Sequence, residues 1–338
     1  MHFHEKRRQK FLSEHYFSFF CNSIKKAIEY WKHNFPPDIE TEALARSLAA
    51  ADFAGQTCDL FLLRYTGGEP LDLLRDELVG VVEAYEISAR YKRDFQEKED
   101  FPVFAFQEID DFERIVQLLG LAILLHRREL IPRIHSLVAN SAYDGQDAMY
   151  EELVSHDIAD RPYLEAWYHQ FPYLHLLSAT DLESSQEKIE QMQQYLKIWY
   201  KSMEKTPWHD SHFSMTEEGG TYFGYWAIEA AAIVYLYDIN DSSFRDHIVY
   251  PKDLVDFARE LDKQAPLAPS APEKLLVEGG NPCPQTGYWF TPAIPDSRRH
   301  FEQGAVMPVS ADSQYGATIW QWGTEYNSRL CNSMKFEP

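Results

Sequence analysis

Apolar and aromatic side chains return every three or four positions through most of this chain, and that period constrains the fold class more than any other feature. Between Lys10 and His33 the residues Phe17, Phe20, Ile24, Ile28 and Trp31 keep to one helical face, and Phe35-Pro36-Pro37 ends the run. A second helix is expected from about Glu42 to Tyr65, stopped by Gly67-Gly68. A third runs from Leu71 to about Arg93, with Leu74, Leu78, Val81, Val82 and Tyr85 on one side. Asp110 and Asp111 suit the positive end of a fourth helix, and RRELIPRIHSLVANS reads as a shorter fifth. A second set begins near Gln146. RPYLEAWYHQFPYLHLLSA reads as a helix entered at Pro162 and kinked at Pro172. SSQEKIEQMQQYLKIWYKSM has Ile189, Met192, Leu196 and Trp199 on one face behind an N-terminal serine. YFGYWAIEAAAIVYLY and YPKDLVDFARELDK complete the set.

After Lys263 the pattern changes. QAPLAPSAPEK is a proline-rich linker or loop, and the Gly-, Pro- and aromatic-rich tail behind it has no helical period, which predicts short strands and turns. The expected architecture is therefore mainly α: an antiparallel helical bundle of about ten helices in two subdomains, with a short irregular or β-containing C-terminal extension. The boundaries read as 1–140 for an N-terminal helical domain, 141–263 for a C-terminal helical domain, and 264–338 for an extension packed on the helical body. No fixed-period repeat, phosphate-binding glycine loop or nucleophile elbow is present.

Charge narrows the function classes. Lys and Arg total 32 against 53 Asp and Glu, a formal charge of −21. Phosphate backbones and anionic lipid surfaces call for basic patches, so nucleic acid and membrane are disfavoured as partners, and a basic protein partner is favoured. Cys21, Cys58, Cys283 and Cys331 are scattered and form no CxxC pair, which suits reduced thiols and neither a zinc site nor a disulfide scaffold. The N-terminal MHFHEKRRQKF is basic with no apolar run behind it, and LLGLAILL is too short to span a bilayer. A cytoplasmic protein without cofactor is expected.

Four features could carry chemistry or binding. Glu229 stands among Tyr225, Trp226 and Ile233 on an expected helix, so it is a structural carboxylate tied to an Arg, Tyr or Trp, or else a general acid of raised pKa. His209 and His212 in WHDSH have a spacing that two metal ligands could use, against the simpler reading of a loop capped by Asp210 and Ser211. From Ser141 to Glu190 there are eleven acids against two bases, Arg161 and Lys188, interleaved with Tyr143, Tyr150 and Tyr163. Acids and aromatics together suit a protein-binding face, which Asp238, Asp241 and Asp246 could extend. Arg298 and Arg299, in DSRRHF, are expected to form internal salt bridges to the helical body.

The stretches RPYLEAWYHQFPYLHLLSA, WHDSH and GGTYFGYWAIEAAAIVYLYDINDSSFRDHIVYPKDLVDFAR together resemble the C-terminal domain of polymorphic-toxin immunity proteins of the PoNi type, over roughly residues 160–262. The core GYWAxEAAA, with YPKDLVDFAR downstream, carries most of that resemblance. The tail stretches NPCPQTGYWFTP, SRRHFEQGAVMP and YGATIWQW resemble an extension on a related immunity subgroup from bacteria with type VI secretion. The resemblance implies an all-helical antitoxin, without catalysis of its own, that covers or deforms a cognate toxin domain, often a nuclease, delivered by type VI or contact-dependent secretion. The candidate toxin-binding residues are then Asp144, Asp147, Tyr150, Glu151, Glu152, Asp157, Asp160, Asp238 and Asp241. Trp226, Glu229, Asp210, Arg298 and Arg299 are structural candidates, and no catalytic or metal-binding residue is assigned. Two other readings stay open: a helical hydrolase using Glu229 with His209 or His212, and a helical adaptor with a peptide groove. The alanine-rich helix would permit a homodimer.

Overall fold

The computed structural model describes residues 2–264, 275–294, 297–310 and 317–323. They form eleven α-helices and four short strands in two compact units: residues 1–143 with 171–264, and residues 144–170 with 265–338. The mainly α class and the β-containing tail are as the sequence predicts. No helix among the described residues is long and apolar enough to cross a membrane.

In the first unit α1 (Phe3–Lys6) leads to α2 (Glu14–His33), α3 (Glu42–Thr66), α4 (Leu71–Gln96), α5 (Ile109–Leu124) and α6 (Ile131–His135). Local chemistry sets these ends. The Ser13 hydroxyl accepts the Tyr16 N–H at 3.2 Å to open α2, and the Thr41 hydroxyl accepts the Leu44 N–H at 3.2 Å to open α3. Gly67 and Gly68 close α3. At Gly68 the backbone is left-handed (φ +89°) and a Cβ would overlap the Lys6 carbonyl, so only glycine fits. α3 packs between α2 and α4, burying Phe61, Leu62, Leu63, Leu74 and Leu78 almost completely. Each such side chain contributes roughly 1.5–3 kcal/mol. The expected fifth helix is brief: a 3-10 turn (Arg128–Leu130) and α6 are followed by turns.

The same unit holds α8 (Gln170–Asp181), α9 (Ser185–Ser202), α10 (Ile228–Leu236) and α11 (Lys252–Gln264). α10 packs on α5, α11 and α9 and is buried from Ile228 to Val234. Its alanines and Gly120 on α5 allow the close approach, since a Cβ on Gly120 would lie 2.9 Å from Ile228 Cγ2. Two expected helical stretches are not helical. Tyr222–Ala227 is extended because its polar backbone groups are taken from outside. The Gln9 side chain receives the Tyr225 N–H at 3.0 Å and donates to its carbonyl at 2.6 Å, while the Thr66 hydroxyl donates to the Phe223 carbonyl at 2.6 Å. Gly224 sits at φ +120°, where a Cβ would strike the Thr66 hydroxyl and the Trp226 ring. Residues 161–169 are likewise irregular: Ala166 gives its carbonyl to the Ala148 N–H at 2.8 Å, and the Tyr168 N–H donates to Asp147 at 2.9 Å.

The second unit contains α7 (Ala148–Val154) and an antiparallel sheet of β1 (Leu276–Glu278), β2 (Gly287–Phe290), β3 (Arg299–Phe301) and β4 (Ile319–Trp322), in the order β1-β4-β2-β3. Register pairs Trp289 with Trp322 and Val277 with Trp320. Trp289, Trp320, Met307 and Cys283 form its apolar centre, with Phe301 and Trp322 packed against it. Cys21, Cys58 and Cys283 are buried free thiols; Cys331 lies outside the described residues.

Candidate functional site

One fully buried polar centre is Glu229, on the first turn of α10. Its neighbours are not those that a longer helix would supply. From α9, the Tyr195 hydroxyl and the Trp199 indole N–H (2.7 Å) both donate to Glu229 Oε1, while Oε2 is buried without a hydrogen-bond partner. Burial pushes the carboxyl from its usual 4.5 to about 7, against the pull of the Tyr195 hydrogen bond. A second buried carboxylate, Glu113 on α5, is also pushed well up by burial, with Glu229 among the charges that raise it further. Glu113 accepts from the Gln117 amide one turn on, which donates to the Trp226 carbonyl as well at 3.2 Å. Sequence reading missed Glu113. Its only signal is a Glu–Gln pair at i, i+4 inside the otherwise apolar helix DFERIVQLLGLAILL.

His209 and His212 do not join this centre. His209 stacks on Tyr200 with ring centroids 4.3 Å apart, and His212 Nδ1 lies 2.8 Å from the Tyr225 hydroxyl. Asp210 adopts a left-handed backbone (φ +60°) and accepts from the Tyr200 hydroxyl at 2.6 Å, a tie between loop and α9 and not a side-chain cap. Among the described residues no group of three His, Cys, Asp or Glu could hold a metal ion. Trp226 is buried, and its indole donates to the Thr66 hydroxyl at 2.8 Å.

The acidic run divides into a buried and an exposed part. Asp147 is buried as the cap of α7, receiving the Tyr150 N–H at 3.0 Å, and burial lifts its carboxyl to about 6. Tyr150 is fully buried, contrary to its reading as a surface aromatic, because all seven residues of this short helix are buried. Arg161 clamps Glu151 and Asp144, each at 2.5 Å. Glu152 is buried, 3.0 Å from His156. Asp160 meets Arg298 at 2.9 Å, and Asp157 is half-buried. Arg299 stacks its guanidinium over Phe301 and Trp320, both at 5.1 Å, and has no salt bridge among the described residues. Asp241 is buried under Arg245 (3.4 Å) and Arg259 (3.5 Å), with Asp246 paired to Lys252 at 2.5 Å.

The acids of the run that reach solvent are Glu165 and, at its far end, Asp181 and the glutamates that follow. Glu183, Glu187 and Glu190 are exposed at the start of α9, where Ser184 caps the helix. Gln193 on α9 donates to the Ser243 hydroxyl at 3.1 Å, and Lys188 lies over the Tyr237 ring at 5.7 Å, so this helix runs beside the loop carrying Asp238. Asp238 is 98% exposed. The structure thus brings Asp238 to one surface with acids that sequence reading counted in the run but did not single out.

Residues 145–254 match the family model described as PoNe immunity proteins (PoNi), C-terminal, the family that the GYWAxEAAA and YPKDLVDFAR stretches resemble. No curated protein is similar to the chain. Among solved structures, the crystal structure of protein PA2201 from Pseudomonas aeruginosa superposes with a TM-score of 0.60 at 20% identity, covering 75% of this chain and 91% of that one. At that identity the likeness is one of fold.

Proposed function

We propose that this chain is an immunity protein, an antitoxin that binds a cognate secreted antibacterial toxin and inhibits it by occluding its active site. The observation that carries this reading is the match of residues 145–254 to the PoNe immunity proteins. The net charge of −21 supports a basic toxin domain as partner, a nuclease with a cationic substrate groove being the natural case. Type VI or contact-dependent delivery by sibling cells, and a cytoplasmic site of action, go with that role.

Within the candidate surface, exposure favours Glu183, Glu187, Glu190 and Asp238 as the groups that meet the toxin. Asp241, held by the same Arg259 that meets Asp238, then acts one step back, whereas the buried Asp147, Tyr150 and Glu151 serve the packing of their own unit. Self-protection calls for a dissociation constant at or below about 1 nM, roughly −12 kcal/mol. The hydrolase reading has less support, because Glu229 is closed off by Tyr195 and Trp199 and makes no hydrogen bond to His209 or His212.

The decisive experiment co-expresses the toxin domain encoded beside this gene with and without this chain and scores survival. Rescue by this chain, with a one-to-one complex on gel filtration, is the expected result. Equal killing in both cultures would refute the proposal.

A further inference from the structure

The N-terminal KRRQK stretch, at Lys6–Lys10, is a basic island in an acidic protein, and the immunity reading gives it no task. It is not a loose end. Gln9 is 2% exposed and uses its amide in four ways. It donates to the carbonyls of Tyr225 (2.6 Å) and Ile248 (2.9 Å), and accepts from the Tyr225 N–H and the Tyr222 hydroxyl. Beside it, the Arg8 N–H donates to the Thr66 carbonyl at 2.8 Å, and the Arg8 guanidinium lies over Tyr65 at 4.4 Å while pairing with Asp253. Phe3 adds a ring contact to Phe17 at 5.1 Å. The arm is pinned at its centre by groups that are fully used, and its flanking cations project from a fixed backbone.

Those cations open onto a cleft of about 610 Å³ between the arm, the turn at 245–250 and the start of α11. Lys6, Arg7, Arg8, Lys10, Arg245 and Lys252 line it against only two carboxylates, Asp246 and Asp253. Both carboxylates are already held, Asp246 by Lys252 and Asp253 by Arg8. Lys6 and Lys10 are exposed and have no carboxylate partner among the described residues, and the Arg7 guanidinium donates to the Leu12 carbonyl. The N-terminus of the 13-residue α11 adds its positive dipole end to the same cleft.

We infer that this cleft binds a small phosphorylated molecule, its phosphate oxygens bridging Lys6, Arg7 and Lys10. A phosphate group fits better than a lone carboxylate. It offers several oxygens and more than one negative charge to three cations, and arginine and lysine supply a fork and point charges suited to it. The volume lies within the range of roughly 300–1,000 Å³ usual for small-molecule sites, leaving room for an organic group beyond the phosphate.

The test is isothermal titration of the full chain with inorganic pyrophosphate at constant ionic strength, with sulfate and an oligoglutamate peptide as parallel arms. The expected result is saturable one-to-one binding of pyrophosphate. It should weaken roughly tenfold or more in Lys6→Glu/Lys10→Glu, whose thermal midpoint without ligand stays at the wild-type value because neither side chain holds the fold. Absence of saturable heat, equal affinity in the double variant, or sulfate binding as tightly as pyrophosphate would each overturn the assignment. So would binding of the acidic peptide alone.

Discussion

Replacing Glu229 by Gln isolates the cost of keeping one charge in the helical core. In the native protein burial holds this carboxyl at about 7, whereas an unfolded chain titrates it near 4.5. The folded state therefore binds the proton more tightly. Its contribution to stability is greatest below pH 4.5, declines as pH rises towards 7, and is constant beyond. At about 1.4 kcal/mol per unit the whole decline is about 3.5 kcal/mol, most of it falling between pH 5 and 8. Glutamine keeps an oxygen to accept from Tyr195 and Trp199 and removes the charge. Urea unfolding of both proteins at pH 5 and pH 8, followed by far-ultraviolet circular dichroism at fixed ionic strength, reads the effect as a double difference. The variant should gain on the wild type by about 2–3 kcal/mol over that interval. Asp147 titrates in the same direction in both proteins and cancels, whereas Glu113 loses the upward push of the Glu229 charge in the variant and adds to the gain in the same direction. Parallel pH curves for the two proteins would show that the charge at Glu229 costs nothing, and the account of a desolvated carboxylate would be wrong.

Gly224→Ala should lower stability by about 2 kcal/mol or more, seen as a fall in thermal midpoint, because its Cβ would displace the Thr66 hydroxyl at a left-handed backbone position. Arg161→Ala leaves the buried Glu151 without its counter-charge and should cost about 3–5 kcal/mol at neutral pH, with partial recovery in acid as the carboxylate is protonated. Charge reversal at Glu183 and Glu190 together should leave the thermal midpoint within a degree or so of wild type. It should also slow toxin association about tenfold or more at low salt, measured by stopped flow. An association rate that ignores both the reversal and the salt would remove electrostatic steering from the proposed mechanism.

The long helices were legible because periodicity and punctuation agree. Ser13, Thr41 and Ser184 cap the helices that follow them, and Gly67-Gly68 closes α3 where expected. The extended course of Tyr222–Ala227 was not legible. Its residues have helical spacing, but Gln9 and Thr66, far away in sequence, capture the backbone groups a helix would have used. For Glu229 the sequence suggests a tie to an Arg, Tyr or Trp but cannot say which one; the donors, Tyr195 and Trp199, come from α9, respectively 34 and 30 residues earlier in the chain. Within the acidic run, composition counts charges and does not show which of them an arginine such as Arg161 will claim. Asp238 and the acids of α9 are adjacent through a contact between Gln193 and Ser243, and no local pattern announces it.

The second unit is made from two stretches of polypeptide that synthesis separates in time. The Ala317 N–H reaches the Glu165 carboxylate across 152 residues of sequence, and Arg298 reaches back to Asp160. Residues 144–170 therefore emerge from the ribosome long before their partners exist and must wait for Ile319–Trp322 before the sheet can be completed. A ribosome stalled late in the message thus leaves a chain whose first unit has all of its residues and whose second unit lacks the stretch that completes its sheet.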